Sequence, residues 1–575
     1  MPLSMADFPA PPRGVLAARL GVGIAQGLAL FALSRLVEGD TPHPWAAAHP
    51  RGFGLLVLLA TLLPLPVLLG LGQMRARVLA GWTLAAGGLI LGLGHHDLWQ
   101  HGETTMTPAS NGLLASLGAM LFLGQSLVAA ADAGRRRWPR YADCFEAAWH
   151  AALQLALAGC FVLGFWLAFW LGSELFRAIG IDALHRLGGR LGFALPATTL
   201  SAAAGIHLVS SRWRLALGLR HLLLALKAWL TPVLAGLVAA FLLALPVTGL
   251  DVLWQRADAP GWLLAATAGL VALVSAVHGD GHGTAPALPR LAARLASFML
   301  PVLLVLAAWG LARQAGAAGL TESRVAGLAA LAVLAVHGVA YPIAAARTDP
   351  RWLETANIGA AVLALAALAA LNLPAADPAR LEARSQAGRL QAGLVAPEAF
   401  DFDRLGRLGR DGRQALAALA RHPDPEIARR ALHASLPAVD LAREATGQGA
   451  TLPRLRAVPP GTALPAGLAE AMRRALPECL DEDCLARPVP PIGADAWLVG
   501  PVYGRFWAMR PDGPGWRRLA IYDAPYACPG QARDGLLEDA PRALPPPLPD
   551  LGLAGVLFRP VLLQEDICPE PAPPP

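Results

Sequence analysis

The stretch Ala356–Leu390, ANIGAAVLALAALAALNLPAADPARLEARSQAGRL, holds the sharpest change of character in the chain. Its first half is apolar and long enough to finish a bilayer crossing, which takes roughly 20 residues. From Ala375 onward it mixes acidic, basic and small residues, and no later run is long and apolar enough to span. The chain therefore divides near residue 375 into a membrane-embedded block and a polar C-terminal part.

The composition agrees. Of 575 residues, 55% are hydrophobic and only 15% charged, against about 25% charged in a soluble average. The net charge of +6 is not a nucleic-acid footprint, because the arginines lie in short clusters between apolar runs, where they orient membrane proteins. Lys227 is the sole lysine. With the Ala, Leu, Gly and Pro bias, this reads as a GC-rich bacterial genome.

Walking back from residue 375 gives about eleven candidate spans, near 18–36, 53–72, 78–95, 111–131, 150–175, 191–209, 230–250, 261–277, 295–313, 325–345 and 355–374. Pro64 and Pro66 should kink the second. Pro232 is expected to separate the seventh span from 212–229. That leucine-rich segment carries Arg214, Arg220, His221 and Lys227, and it reads as a basic amphipathic helix on the membrane surface or as the seventh helix continued into water. Gly21, Gly23 and Gly27 lie inside an apolar helix and suit close helix packing. The first span reads as a retained anchor rather than a cleaved leader.

Basic residues in short loops set orientation. With the N-terminus in the cytoplasm, the inside segments hold sixteen Lys and Arg and the outside segments eight. The loop 96–110, placed outside, has none. An odd number of spans then puts the C-terminal part in the periplasm and makes the chain a multi-pass inner-membrane protein. Cysteine placement agrees. Cys144 and Cys160 fall at or in the fifth span. Cys479, Cys484, Cys528 and Cys568 all fall in the C-terminal part, an even set suited to disulfides in an oxidising compartment. Three pairings are open, with Cys479–Cys484 and Cys528–Cys568 preferred. Four reduced cysteines in a cytoplasmic domain are the competing reading.

The C-terminal part divides again. Residues 375–450 show helical periodicity around Leu405, Leu408, Leu416 and Leu419, with a second short helix after His422-Pro423-Asp424-Pro425. Such a unit cannot bury its own face and must pack on something. Residues 451–575 predict a helix over 464–476 and short strands at 497–499, 505–509 and 516–522, the last two joined by a turn at 511–515. Proline-rich stretches at 541–549 and 569–575 read as linker and tail. The fold class expected is mainly α: a polytopic helical membrane bundle (1–374), a small helical segment (375–450) and a small α+β extramembrane module (451–575).

Chemistry-bearing residues are few. His95, His96, Asp97, His101 and Glu103 follow the third span as a polar loop. Imidazoles and carboxylates that close together leave a divalent metal open, although the H-E-x-x-H helix of a zinc protease is absent. His278-Gly279-Asp280-Gly281-His282-Gly283 reads as a flexible turn. Glu146, His150, Glu174, His207 and His337 lie near or within spans. Ionisable groups there are candidates for a proton path or for interhelical hydrogen bonds. Glu146 and His150, one turn apart, could share a proton. No Walker A, G-x-S-x-G or zincin pattern occurs, so no catalytic residue and no organic cofactor is assigned. The expected partners are the lipid bilayer and a periplasmic protein, with no nucleic acid. The leading expectation is a non-enzymatic envelope anchor. A transporter of a small molecule or lipid comes second and a metal-dependent membrane enzyme third.

Three strings carry a family likeness: Tyr141-Ala142-Asp143-Cys144-Phe145-Glu146-Ala147-Ala148-Trp149, Ala244-Leu245-Pro246-Val247-Thr248-Gly249-Leu250, and Phe400-Asp401-Phe402-Asp403 with Leu405-Gly406-Arg407 and Gly409-Arg410. Over roughly 130–420 the chain resembles bacterial multi-span membrane proteins of the domain-of-unknown-function 4153 family. The resemblance implies a multi-span inner-membrane protein and brings no activity, substrate or catalytic residue. The module after 455 lies beyond it.

Overall fold

A computed structural model describes residues 13–38, 43–101, 109–211, 213–256, 258–281 and 285–435. Beyond these it describes parts of 455–558, chiefly 455–458, 484–490, 495–501, 505–512, 515–523, 551–553 and 556–558. The chain forms two compact units, Met1–Ala431 and Leu432–Pro575.

In the first unit the helices are α1 (Arg13–Arg35), α2 (Pro44–Ala48), α3 (Pro50–Leu62), α4 (Pro64–Gly70), α5 (Ala76–His101), α6 (Asn111–Ala133), α7 (Tyr141–Ala178), α8 (Ala183–Gly188), α9 (Leu191–Ser211), α10 (Trp213–Thr248), α11 (Leu250–Trp254), α12 (Ala259–His278), α13 (Ala287–Ala318), α14 (Glu322–Arg347) and α15 (Arg351–Leu371). After the last span follow α16 (Pro378–Gln391), α17 (Phe402–Arg407), α18 (Gly409–Leu419) and α19 (Pro425–Ser435). Eleven candidate spans occur among the described residues, with α3 and α4 together forming one. Helices are the expected solution, since in a bilayer every backbone polar group must be satisfied within the segment. The protein is a polytopic helical membrane protein.

Proline acts differently at different places. Pro64 breaks the second span into α3 and α4 at Leu63, as its spacing predicts. Pro232 does not separate a surface helix from the seventh span, because α10 runs unbroken from Trp213 to Thr248. The surface-helix expectation is corrected here. The continuous helix carries Arg220 and Lys227 to partners on α7, and a helix in lipid tolerates an internal proline where neighbours compensate. The third span also runs on as helix through His101, so the segment expected to be a loop is the last turns of α5.

The spans pack as two groups. One apolar core joins α3, α5 and α6 around Ile90, Leu113 and Leu117, and beside it α4, α7 and α9 meet at Leu69, Ala158 and Ile206. A second core joins α10 and α12–α15 around Leu270, Leu300, Leu303 and Tyr341. The groups are joined at one end by Leu365, Leu368 and Ala369 of α15 packed onto the first core. At the other end Tyr141 and Phe145 of α7 pack on the second. Within the first group, α1 lies along α9. A Cβ at Gly23 or Gly27 would stand 2.8 Å or 2.4 Å from α9 atoms, so the expectation of close helix packing holds at these two glycines.

The second unit is built on a five-stranded sheet, in the order β1 (Leu455–Ala457), β2 (Cys484–Pro488), β3 (Trp497–Pro501), β4 (Arg505–Asp512), β5 (Gly515–Asp523). β1 pairs parallel with β2, and the other pairs are antiparallel. A separate hairpin joins β6 (Leu551–Leu553) and β7 (Val556–Phe558). Asp512 pairs with Gly515, so two residues connect β4 and β5, the tightest hairpin connection. One face carries a small core of Leu468, Met472, Cys484, Ala486, Trp497, Val499 and Met509. Leu468 and Met472 are helical, within the helix predicted over 464–476, whose remaining residues are mostly outside those described. The proline-rich stretches at 541–549 and 569–575 lie outside them as well.

Candidate functional site

Two polar constellations stand out in the first unit, one at each end of the bundle. The first is a dock at the C-terminal end of α5. Asp377, followed by Pro378, has the sequence signature of a helix start. Its Oδ1 accepts from the Ala379 and Arg380 amides at 2.9 and 3.3 Å, and its Oδ2 lies 2.7 Å from His96 Nε2. Gln100 of the same α5 face donates to Asp411 Oδ2 at 3.0 Å. Arg410 lies over the Trp99 ring, 4.4 Å from its centroid. Gly409, at φ 67°, brings backbone against α5: a Cβ there would sit 2.7 Å from the Gln100 carbonyl.

A second clamp holds α16 to the turn between α13 and α14. Glu382, almost wholly buried, accepts from the Glu322 amide at 2.6 Å and from Arg404 Nε at 2.7 Å. The hydrogen-bonded Glu382 carboxylate raises the Arg404 pKa above its ordinary value. Gln386 donates to the Ala318 and Leu320 carbonyls, and Arg389 to those of Gly316 and Ala317. These satisfy carbonyls that the end of α13 leaves open. The helical segment of 378–419 is thus bolted to the bundle. The loops after the third, ninth and eleventh spans share this end, as eleven alternating crossings require.

Replacing Asp377 with Ala removes both the α16 cap and the His96 contact. A cap alone is worth about 1 kcal/mol. The expected result is faster protease cleavage between 374 and 400 in Asp377→Ala, with the membrane helices still protected.

The opposite end holds the seam between the two helix groups. The helical spacing of Tyr141, Phe145 and Trp149 lines up three rings on one face of α7, tilted and edge-on to one another with centroids 6.0 and 6.3 Å apart. α10 meets this face with its cations. Arg220 lies 5.4 Å from the Phe145 centroid, and Lys227 lies 4.8 Å from that of Trp149. Between the rings, Glu146 Oε1 accepts from Arg220 Nη1 at 2.6 Å, and Asp280 Oδ2 lies 4.0 Å from Arg220 Nη2. Arg220 is 5% exposed, so this ion pair is largely removed from water. His278 Nε2 stands 3.4 Å from Glu354 Oε1, at ion-pair distance but without hydrogen-bond geometry.

The remaining candidates are dispersed. Glu146 and His150 line one small cavity with Gln73, Gln125, Asp143 and Gln154. Glu146 is committed to Arg220, and Gln73 Nε2 lies 3.5 Å from His150 Nε2. Glu174 pairs with Arg177 at 2.9 Å in a partly exposed position. His207 Nδ1 is buried without a hydrogen-bond partner among the described residues. His337 is buried with its ring edge-on to Tyr341, 5.3 Å between centroids. The Tyr341 hydroxyl is shared by Ser275 and Asn357.

Of the α5 cluster, Asp97 accepts from the Ser110 amide and hydroxyl at 2.9 and 2.5 Å, holding the residue that caps α6. His96 faces Asp377. The His101 side chain and Glu103 lie outside the described residues. Among the described residues no three His, Cys, Asp or Glu side chains gather as metal ligands would. Cys484 is buried on β2, while Cys479, Cys528 and Cys568 lie outside the described residues. Cys144 and Cys160 are free.

Sequence reading missed Arg220, Asp280 and His278 as one group, because their partners are far apart along the chain. Two of the three strings quoted from the sequence fall on these constellations. The string 141–149 builds the seam, and 400–410 builds the dock. Comparison with protein-family models, with curated proteins and with solved structures finds no match for this chain.

Proposed function

We propose that the protein is a non-enzymatic envelope anchor. In this reading the eleven spans hold it in the bacterial inner membrane with the N-terminus in the cytoplasm. The unit after Leu432 serves as a periplasmic interaction module. The observation that carries the reading is the double clamp on 378–419. A segment whose buried carboxylate and caps are spent on fixing it to the bundle gives the following module a fixed point of departure. The charge bias of sixteen to eight supports the orientation. The even set of Cys479, Cys484, Cys528 and Cys568 in the sequence of this unit supports an oxidising compartment. We further propose that the chain belongs to the domain-of-unknown-function 4153 family, which it resembles over roughly 130–420.

A reporter active only in the periplasm, fused after Pro575, is expected to give signal, and one fused within 135–139 to give none. The reverse pattern would overturn both the orientation and the compartment. A second reading, a transporter of a small molecule or lipid, is favoured by one observation: two separately packed helix groups meet across a charged seam. Solute flux into vesicles that Glu146→Gln abolishes would establish it over the anchor.

A further inference from the structure

At the same end as the seam, a cleft of about 430 Å³ opens between α12, α13 and α14. Its walls are mixed. Val274, Val277, Ala293 and Leu353 make an apolar floor, while His278, Arg290, Arg294 and Thr348 supply polar groups. Among the described residues no carboxylate lines it. Arg290 and Arg294 stand one turn apart on α13, and both are exposed. Among the described residues Arg294 gives one hydrogen bond, to the Ala345 carbonyl at 3.2 Å. A guanidinium carries five donors, so most of its capacity remains. Two forked cations suit a phosphate ester, while His278 in the same wall faces Glu354 at 3.4 Å.

The source of that phosphate follows from what continues below the arginines. Leu291, Leu295, Phe298, Val302 and Val305 are large apolar side chains exposed along one stripe of α13. From Leu291 to Val305 the helix rises about 21 Å, more than the ~15 Å of one leaflet of hydrocarbon. One helix therefore offers headgroup contacts and an acyl track in sequence. We propose that this cleft is a binding site for an anionic glycerophospholipid, its phosphate held by Arg290 and Arg294 and its tail laid on the α13 stripe. The site stands whichever way the chain is oriented.

The test uses the full chain purified in detergent, with native mass spectrometry counting phosphatidylglycerol or phosphatidylcholine retained. Wild type is expected to keep phosphatidylglycerol in preference. Arg290→Gln with Arg294→Gln should lower that retention about tenfold and leave phosphatidylcholine unchanged. Arg290→Gln alone, at an exposed side chain, keeps the test open if the double variant does not fold. Ala285→Trp should block the cleft with both arginines in place. Equal phosphatidylglycerol retention by wild type and variants overturns the site. Displacement of the lipid by soluble glycerol phosphate at equal potency overturns the lipid as its source.

Discussion

Glu146→Ala is expected to destabilise the membrane unit by about 3 kcal/mol, because it removes one partner of a buried ion pair. Arg220 is 5% exposed. Its other carboxylate, Asp280, stands at 4.0 Å, against 2.6 Å for Glu146. The readout is the apparent melting temperature of detergent-solubilised protein, which should fall by several degrees. Exchanging the charges, Glu146→Arg with Arg220→Glu, should recover part of the loss, since a pair is restored even if its hydrogen-bond geometry is not. Removing Glu174, whose pair with Arg177 is partly exposed, should change little, as surface pairs contribute under about 1 kcal/mol. Equal effects of Glu146→Ala and Glu174→Ala would show that the seam pair is an ornament of the surface rather than a joint between helix groups.

Gly27→Leu is expected to act through shape alone. The nearest atoms to a Cβ at Gly27 are the Pro196 Cα at 2.4 Å, the Thr199 Oγ1 at 2.6 Å and the Pro196 backbone nitrogen at 2.8 Å. Carbon atoms rest at about 3.5–4.0 Å, so α1 must move off α9, and a backbone cannot turn aside as a side chain can. Gly27→Ala should cost about 1–3 kcal/mol and Gly27→Leu more. Gly21 has nothing within 4 Å of its Cβ position, so Gly21→Ala should be neutral or slightly stabilising, in line with helix propensity. A melting temperature that treats the two alanine variants alike would remove close packing as the reason for these glycines.

What could be read from the sequence, and what could not, divides along physical lines. The spans were legible because a bilayer leaves a chain few alternatives and hydropathy reports them directly. Strands β3, β4 and β5 were legible from aromatic and β-branched runs around a Pro-Asp-Gly-Pro-Gly turn. β2 was not, since Cys484-Leu485-Ala486-Arg487-Pro488 has no strand pattern of its own and takes its form from pairing with β3. Local reading stopped α10 at Pro232, whereas contacts of Arg220 and Lys227 with α7 accompany a continuous helix. In the His95–His101 cluster Asp97 finds Ser110 only 13 positions on. His96 finds Asp377 281 positions away, and Gln100 finds Asp411 at 311. No local window reaches such distances.

The pairing of α1 with α9 sets an order of events during synthesis. Arg19 is fully buried. Its Nη2 donates to the Leu71 carbonyl at 2.8 Å, and its Nη1 to Ser210 Oγ at 2.9 Å, 191 residues later. A ribosome adding about 5–20 residues per second needs on the order of 10–40 s to make that stretch. During this interval α1 is already in the membrane, with its arginine near the aqueous edge, where a long basic side chain can reach the headgroups. The closing of the first helix group therefore waits on the sixth span. It is a late docking of finished helices, and the guanidinium withdraws from the lipid surface when the Ser210 turn arrives.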